Sequence, residues 1–200
     1  SVASAGNDHR LGGSEAPPAI VSMFLGDELT EVLKSFETDV DYLTKSRSTL
    51  DAGVTSLPRI FRDTTDRNRT SPFAFTGNKF EFRMPGASQS VADPNIMLNT
   101  IVSDVLDRFA DELEQAQDFD EAVHRIVKQA VTEHKRIIFN GDGYTDEWVQ
   151  EAFMRGLPNY PTTVDCTPHL LRSDNLELFA RHGVYTKSEL QARHDIILEN

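Results

Sequence analysis

Two hundred residues with ordinary shares of apolar (38%) and charged (26%) side chains are enough for one large or two small globular domains. A formal charge of −12 argues against duplex DNA or RNA as a partner, because phosphate binding needs clustered Lys and Arg to displace counterions. Cys166 has no partner for an internal disulfide and fits a reducing cytoplasm, while no apolar run is long enough for a membrane span and the start lacks a signal-peptide layout.

The chain opens on an unusual loop, Asn7-Asp8-His9-Arg10-Leu11-Gly12-Gly13-Ser14-Glu15-Ala16-Pro17-Pro18. After its prolines, the apolar run Ala19 to Leu25 predicts a strand. Asp27 and Glu28 then precede Leu29, Val32, Leu33 and Phe36 at helical spacing, with acids where the helix dipole favours them. Residues 38–65 show little periodicity and read as a mostly irregular insertion, with one ladder segment expected around Val54 to Leu57.

The stretch Asp66-Arg67-Asn68-Arg69 through Arg83 is the most informative part of the chain. Thr76-Gly77-Asn78 separates Phe73–Phe75 from Lys79–Met84 and predicts an antiparallel hairpin. Strict alternation puts Phe80, Phe82 and Met84 on one strand face and Lys79, Glu81 and Arg83 on the other, with same-face neighbours ~6.5 to 7 Å apart. A carboxylate between two cations reads equally well as a surface ion ladder, contributing ~0 to 1 kcal/mol per pair, or as a site.

Asp93 and Pro94 predict the cap and first residue of a strong helix, with Leu98, Ile101, Val102, Val105, Leu106, Phe109 and Leu113 in one apolar stripe and acids opposite. Asp118 with Glu121 forms a capping-box pattern ahead of a second helix that reaches Ile138 and stops at Asn140-Gly141. His134 falls on that helix's apolar stripe and reads as a core or rim histidine. Thr145 caps a shorter helix through Phe153, and the three successive helices predict a bundle. A loop over Asn159 to Thr167, a helix from Asn175 to His182, and a last helix opened by Thr186 and Glu189 complete the reading. The histidines lack zinc-ligand spacing, and Asn140-Gly-Asp-Gly reads as a helix stop rather than a calcium or phosphate loop.

Taken in order, Arg-Leu-Gly-Gly-Ser-Glu-Ala-Pro, Arg-Asn-Arg, Phe-Glu-Phe-Arg and the helix opened by Asp93-Pro94 resemble the catalytic domain of glutamine synthetase. The insertion and the wording Asp-Arg-Asn-Arg-Thr-Ser-Pro-Phe-Ala-Phe-Thr-Gly-Asn-Lys resemble the long-subunit, type III class, with the distinctive motifs covering residues 1–106. The resemblance implies an α+β fold: a small antiparallel sheet followed by a mainly helical half. It divides the chain into a partial catalytic domain over 1–92 and a helical region over 93–200.

The same resemblance implies an ATP-dependent glutamate–ammonia ligase working through γ-glutamyl phosphate. Arg10 and Arg83 would hold a carboxylate of glutamate, a geometry that guanidinium matches with paired hydrogen bonds. Asn7 would contact substrate, and Glu15 would sit on a flap that the Gly12-Gly13 pair lets close, helping ammonium lose its proton. Arg69 would meet the transferring phosphoryl group with Arg67 in support, Lys79 would help bind the nucleotide, and Glu81 would ligate Mg²⁺, with Mn²⁺ as a substitute. The short-subunit members place an additional arginine where this chain has Ala74, and Lys79 is the residue able to compensate.

The implied partners are glutamate, ammonium, ATP and further copies in a homo-oligomer, in the cytoplasm, with no nucleic acid and no membrane. The chain is expected to be an excised C-terminal fragment that is inactive alone, since one carboxylate cannot organise a metal. Two alternatives stand beside this: a γ-glutamyl ligase for another amine, and a non-catalytic helical assembly module.

Overall fold

The computed structural model describes residues 18–38, 71–84 and 90–199, together with the backbone of 49–50 and 60–61. The expected site residues Asn7, Arg10, Glu15, Arg67 and Arg69, and the ladder segment at Val54–Leu57, lie outside the described residues. Strand β1 (Met23–Phe24) leads into helix α1 (Gly26–Thr38). Short strands β2 (Thr49–Leu50) and β3 (Ile60–Phe61) pair antiparallel, and β4 (Phe73–Phe75) and β5 (Phe80–Phe82) form the hairpin. Then come α2 (Ala92–Glu114), α3 (Phe119–His134), a 3-10 turn at Lys135–Ile137, α4 (Asp146–Met154), α5 (Thr163–Cys166), a second 3-10 turn at Thr167–Leu171, α6 (Ser173–Arg181) and α7 (Lys187–Glu199).

The fold is α+β, as expected, but the main sheet is mixed rather than antiparallel. Its order is β1-β4-β5, with β1 parallel to β4 and β4 antiparallel to β5. Parallel neighbours need a long crossover, and here α1, β2 and β3 come between β1 and β4 in the chain. Met23 also bridges Ile138 in parallel, and the Phe139 N–H donates to the Met23 carbonyl at 2.9 Å, so the segment after α3 lies along the outer side of β1.

Two apolar centres form among the described residues. In the first, Ile20 from the strand side meets Trp148, Ala152 and Leu157, with Ile137, Phe139 and Val149 around them. The Phe139 and Trp148 rings stack at 3.7 Å. The second joins Met97 of α2 with Leu170, Phe179 of α6 and Leu190 of α7. Of the three successive helices expected to form a bundle, α2 and α3 do touch, but α4 turns Trp148 and Ala152 toward Ile20 and Phe139, and α1 packs more extensively on α3 than α2 does.

Several helix starts form as predicted. The Glu121 N–H donates to Asp118 Oδ1 at 3.0 Å, the Trp148 N–H to Thr145 Oγ1 at 3.2 Å, and Thr186 and Glu189 exchange bonds across the start of α7. Asp93, expected as a cap, instead sits inside the first turn of α2, where its carboxylate accepts from Arg193 of α7 at 3.0 Å. The cap position falls on Val91, which makes no side-chain cap bond, and one residue earlier the Ser90 hydroxyl accepts from the Ala92 N–H at 3.1 Å.

The apolar stripe of α2 is also placed differently. Pro94, Met97 and Thr100 face inward, whereas Val102 and Leu106 remain 51% and 58% exposed. The inward line continues to Asp104, a turn beyond Thr100, which accepts from Arg181 at 2.6 Å and meets His182 Nε2 at 3.0 Å. Polar contacts with the end of α6 thus select the face of α2 that turns in. His134 is exposed rather than in the core or at its rim, with Glu133 at 3.8 Å, because α3 ends in a 3-10 turn just where the stripe would have carried it inward. The stretch expected as a loop over Asn159–Thr167 contains α5, capped by Thr162, which accepts from the Asp165 N–H at 3.2 Å. No helix of the described residues is long and apolar enough to cross a membrane.

Candidate functional site

The β4–β5 hairpin carries the candidate site residues that the described structure contains. Its register pairs Phe73 with Phe82, Ala74 with Glu81 and Phe75 with Phe80. The turn closes through the Thr76 N–H, which donates to the Lys79 carbonyl at 2.8 Å. Gly77 takes φ +94°, a backbone state that side-chain-bearing residues rarely adopt.

Directly opposed residues share a face, so the four phenylalanines gather on one side of the hairpin. Phe73 and Phe80 stack at 5.2 Å, and Phe75 and Phe80 meet at 5.3 Å. Glu81 lies on the other face, opposite the buried and small Ala74. The alternation in sequence thus becomes a separation of rings from charges.

On the charged face, Arg83 Nη2 donates to Glu81 Oε2 at 3.3 Å, and Lys79 Nζ stands 3.5 Å from Glu81 Oε1. Burial alone would raise the Glu81 pKa, but the hydrogen bond and charge of Arg83, with Lys79 in support, hold it below the usual carboxylate range. Both contacts are longer than the ~2.7 to 2.9 Å of a tight charge-assisted pair. The Glu81 and Arg83 side chains keep 32% and 26% exposure, which leaves them reachable from solvent.

The described residues do not make a divalent-cation site by themselves. No group of three or more His, Cys, Asp or Glu side chains suited to a metal forms among them. Glu81 offers one carboxylate already flanked by two cations.

Sequence reasoning missed two polar connections at the two ends of β1. Asn140 was read only as a helix stop, yet its Oδ1 accepts from the N–H groups of Leu25 and Gly26 at 3.0 and 3.1 Å, and its Nδ2 donates to Thr30 Oγ1 at 3.0 Å. Ser22 and Ser71 are buried and bonded to each other at 2.8 Å. A serine inside an otherwise apolar strand run, as in Ala19-Ile20-Val21-Ser22, is the available signal for such a link.

Comparison with known proteins places these features in a context. Residues 122–200 match the family described as the glutamine synthetase C-terminal domain. The whole chain is similar to a glutamine synthetase of Butyrivibrio fibrisolvens, 48% identical over 212 aligned residues that make up 29% of that protein. It is likewise similar throughout to a type-3 glutamine synthetase of Dictyostelium discoideum, at 43% identity and 28% of its length. A glutamine synthetase of Bacteroides fragilis is 41% identical, again with all of this chain and 28% of that protein covered. The chain therefore spans less than a third of the length of these curated relatives.

Proposed function

Since the chain belongs to the glutamine synthetase family, we propose that it is the C-terminal part of an ATP-dependent glutamate–ammonia ligase. The observation that carries this reading is similarity along the entire chain, at 48% identity, to a protein of that name. The charged face of the hairpin, with Glu81 between Lys79 and Arg83, supports it locally.

In the proposed reaction the γ-carboxylate of glutamate attacks the terminal phosphorus of ATP and ADP leaves. Ammonia then adds to the acyl carbon of γ-glutamyl phosphate, phosphate departs with the C–O bond, and the nitrogen gives up a proton. Arg83, with Arg10, binds a carboxylate of the substrate through its planar fork. Arg69 and Lys79 face the phosphoryl oxygens where charge gathers, and fixed cations lower that barrier without reorganising. Glu15 takes the proton from ammonium, and the flap that bears it excludes water from an acyl phosphate that would otherwise hydrolyse. Asn7 adds a substrate contact from the same loop.

Glu81 is proposed as one ligand of Mg²⁺, or of Mn²⁺ in its place. The remaining ligands belong to the part of the longer relatives that this chain does not span. The isolated chain is accordingly inactive in this reading, and the working protein is a cytoplasmic homo-oligomer. The proposed division keeps residues 1–92 with the catalytic domain and 93–200 as its helical complement.

The test is turnover by the longer protein containing this sequence. ADP release that requires both glutamate and ammonium, and that small amines do not replace, is expected. Turnover with another amine in preference to ammonium would overturn the ammonia assignment, and turnover by the isolated chain would overturn its proposed inactivity.

A further inference from the structure

Three segments far apart in sequence meet at one buried serine. Ser71 has no exposed surface and Ser22 keeps 2%. Ser22 Oγ donates to Ser71 Oγ at 2.8 Å, and Ser71 Oγ donates onward to the Phe139 carbonyl at 3.0 Å. Each hydroxyl has one proton to give, so the two bonds form a directed chain from β1 through the entrance of β4 to the segment after α3.

The position of this chain has a backbone cause. Pro72 follows Ser71 and has no N–H, so ladder bonding between β4 and β1 begins with the Phe73 N–H, which donates to the Ser22 carbonyl at 3.3 Å. At the point where a backbone donor is missing, a side-chain hydroxyl ties the strand down. Pro72 then uses its own carbonyl to accept from the Arg83 N–H at 2.7 Å. Arg83 is thus hung from the residue next to Ser71, and Ser71 is hung from Phe139.

We propose that Ser71 is a positioning residue for Arg83, fixing the depth and tilt of the hairpin against the helical part of the molecule through the Ser22–Ser71–Phe139 hydroxyl chain. The proposal rests on the reading of Arg83 as the ligand of a substrate carboxylate. A displacement of about 1 Å at a binding group far outweighs its distance from the change, and costs up to ~100-fold in rate when geometry is critical.

The experiment uses the longer protein, with kcat and the KM values of glutamate and ammonium measured for Ser71→Ala, Ser22→Ala, the double variant and Arg83→Lys. Ser71→Ala is expected to raise the glutamate KM about tenfold while the ammonium KM stays within about twofold. A role confined to stability would lower the active fraction, hence kcat, and leave the glutamate KM alone. Ser22→Ala keeps the Ser71–Phe139 bond and is expected to shift the glutamate KM less than about threefold. The double variant leaves neither hydroxyl without its serine partner, so it should recover melting temperature relative to Ser71→Ala without recovering KM. If Ser71→Ala does not fold, Ser71→Cys keeps a weak donor in similar volume, and a glutamate KM raised about threefold over that of the unaltered protein is expected, with the ammonium KM unchanged.

A normal glutamate KM in the folded Ser71 variant, alongside a raised one in Arg83→Lys, overturns the positioning role and leaves the functional reading intact. A normal glutamate KM in Arg83→Lys removes the reading of Arg83, and the positioning role with it.

Discussion

Asn140 caps Gly26 from 114 residues away, its Oδ1 accepting the Gly26 N–H at 3.1 Å. The same oxygen accepts from Leu25, and the amide nitrogen reaches Thr30, so one side chain satisfies the open start of α1 from outside its own segment. Asn140→Ala is expected to cost ~1 to 3 kcal/mol, because two partly buried N–H groups lose their acceptor. Asn140→Asp retains the acceptor and adds negative charge at a helix N-terminus, losing only the bond to Thr30, so its cost should be smaller. Urea denaturation of the two variants gives the order, and equal losses would contradict the capping role.

Acid should loosen the junction of α2 and α6. Asp104 is held below its ordinary value of 3.8, first by the hydrogen bond to His182, with Arg181 and Arg108 outweighing the opposing effect of burial. A carboxylate with a lowered folded-state pKa contributes stability that is complete above its unfolded value and is lost as pH falls through the folded one. The difference in melting temperature between the wild-type chain and Asp104→Asn should therefore be full at neutral pH and shrink below about pH 4. A difference that stays constant down to pH 2 would remove Asp104 from the account.

The two halves of the apolar surface on the C-terminal helices should respond differently to truncation. Leu190 has no exposed surface and packs with Met97, Leu170 and Phe179, so Leu190→Ala should cost ~2 to 5 kcal/mol. Leu106 on the outer stripe of α2 is 58% exposed, and Leu106→Ala should stay within about 0.5 kcal/mol. Chemical denaturation of the isolated chain measures both, and a large loss from Leu106→Ala would mean that the stripe is covered.

Arg83→Lys in the longer protein should weaken glutamate binding about tenfold to a hundredfold, equivalent to ~1.5 to 3 kcal/mol for a charge-assisted hydrogen bond. Charge is conserved in this change, so the loss reports the planar fork alone. Calorimetric titration with glutamate provides the number, and an unaltered dissociation constant would reject Arg83 as a ligand.

Features governed by neighbours in sequence were legible before any coordinates. The turn at Thr76-Gly77-Asn78, the separation of Phe80 and Phe82 from Glu81, and the caps at Asp118, Thr145 and Thr186 depend on alternation and short-range hydrogen bonding. What was not legible depends on which distant surface arrives. The stripe Leu98 to Leu113 is a correct apolar face, but Asp104 and its partners on α6 rotate Met97 and Thr100 inward instead. The parallel partner of β4 could not be read because periodicity is silent about strand direction. Of the candidate site, the pairing of Lys79, Glu81 and Arg83 was readable from their spacing, whereas the hold of Ser71 and Asn140 on the surrounding strands was not. Asn7, Arg10, Glu15, Arg67 and Arg69 lie outside the described residues, and their placement was carried by family resemblance alone.

The bridge from Met23 to Ile138, with Ser71 held at Phe139, sets an order on biosynthesis. A ribosome delivers the hairpin well before it delivers residue 139, so the nascent sheet waits with one flank open until the segment after α3 emerges. Contacts of such large sequence separation form slowly, and a newly made chain would expose the unpaired outer edge of β1 during that interval. Early termination upstream of Phe139 would make that exposure permanent, which marks such truncated products as substrates for chaperones and proteases.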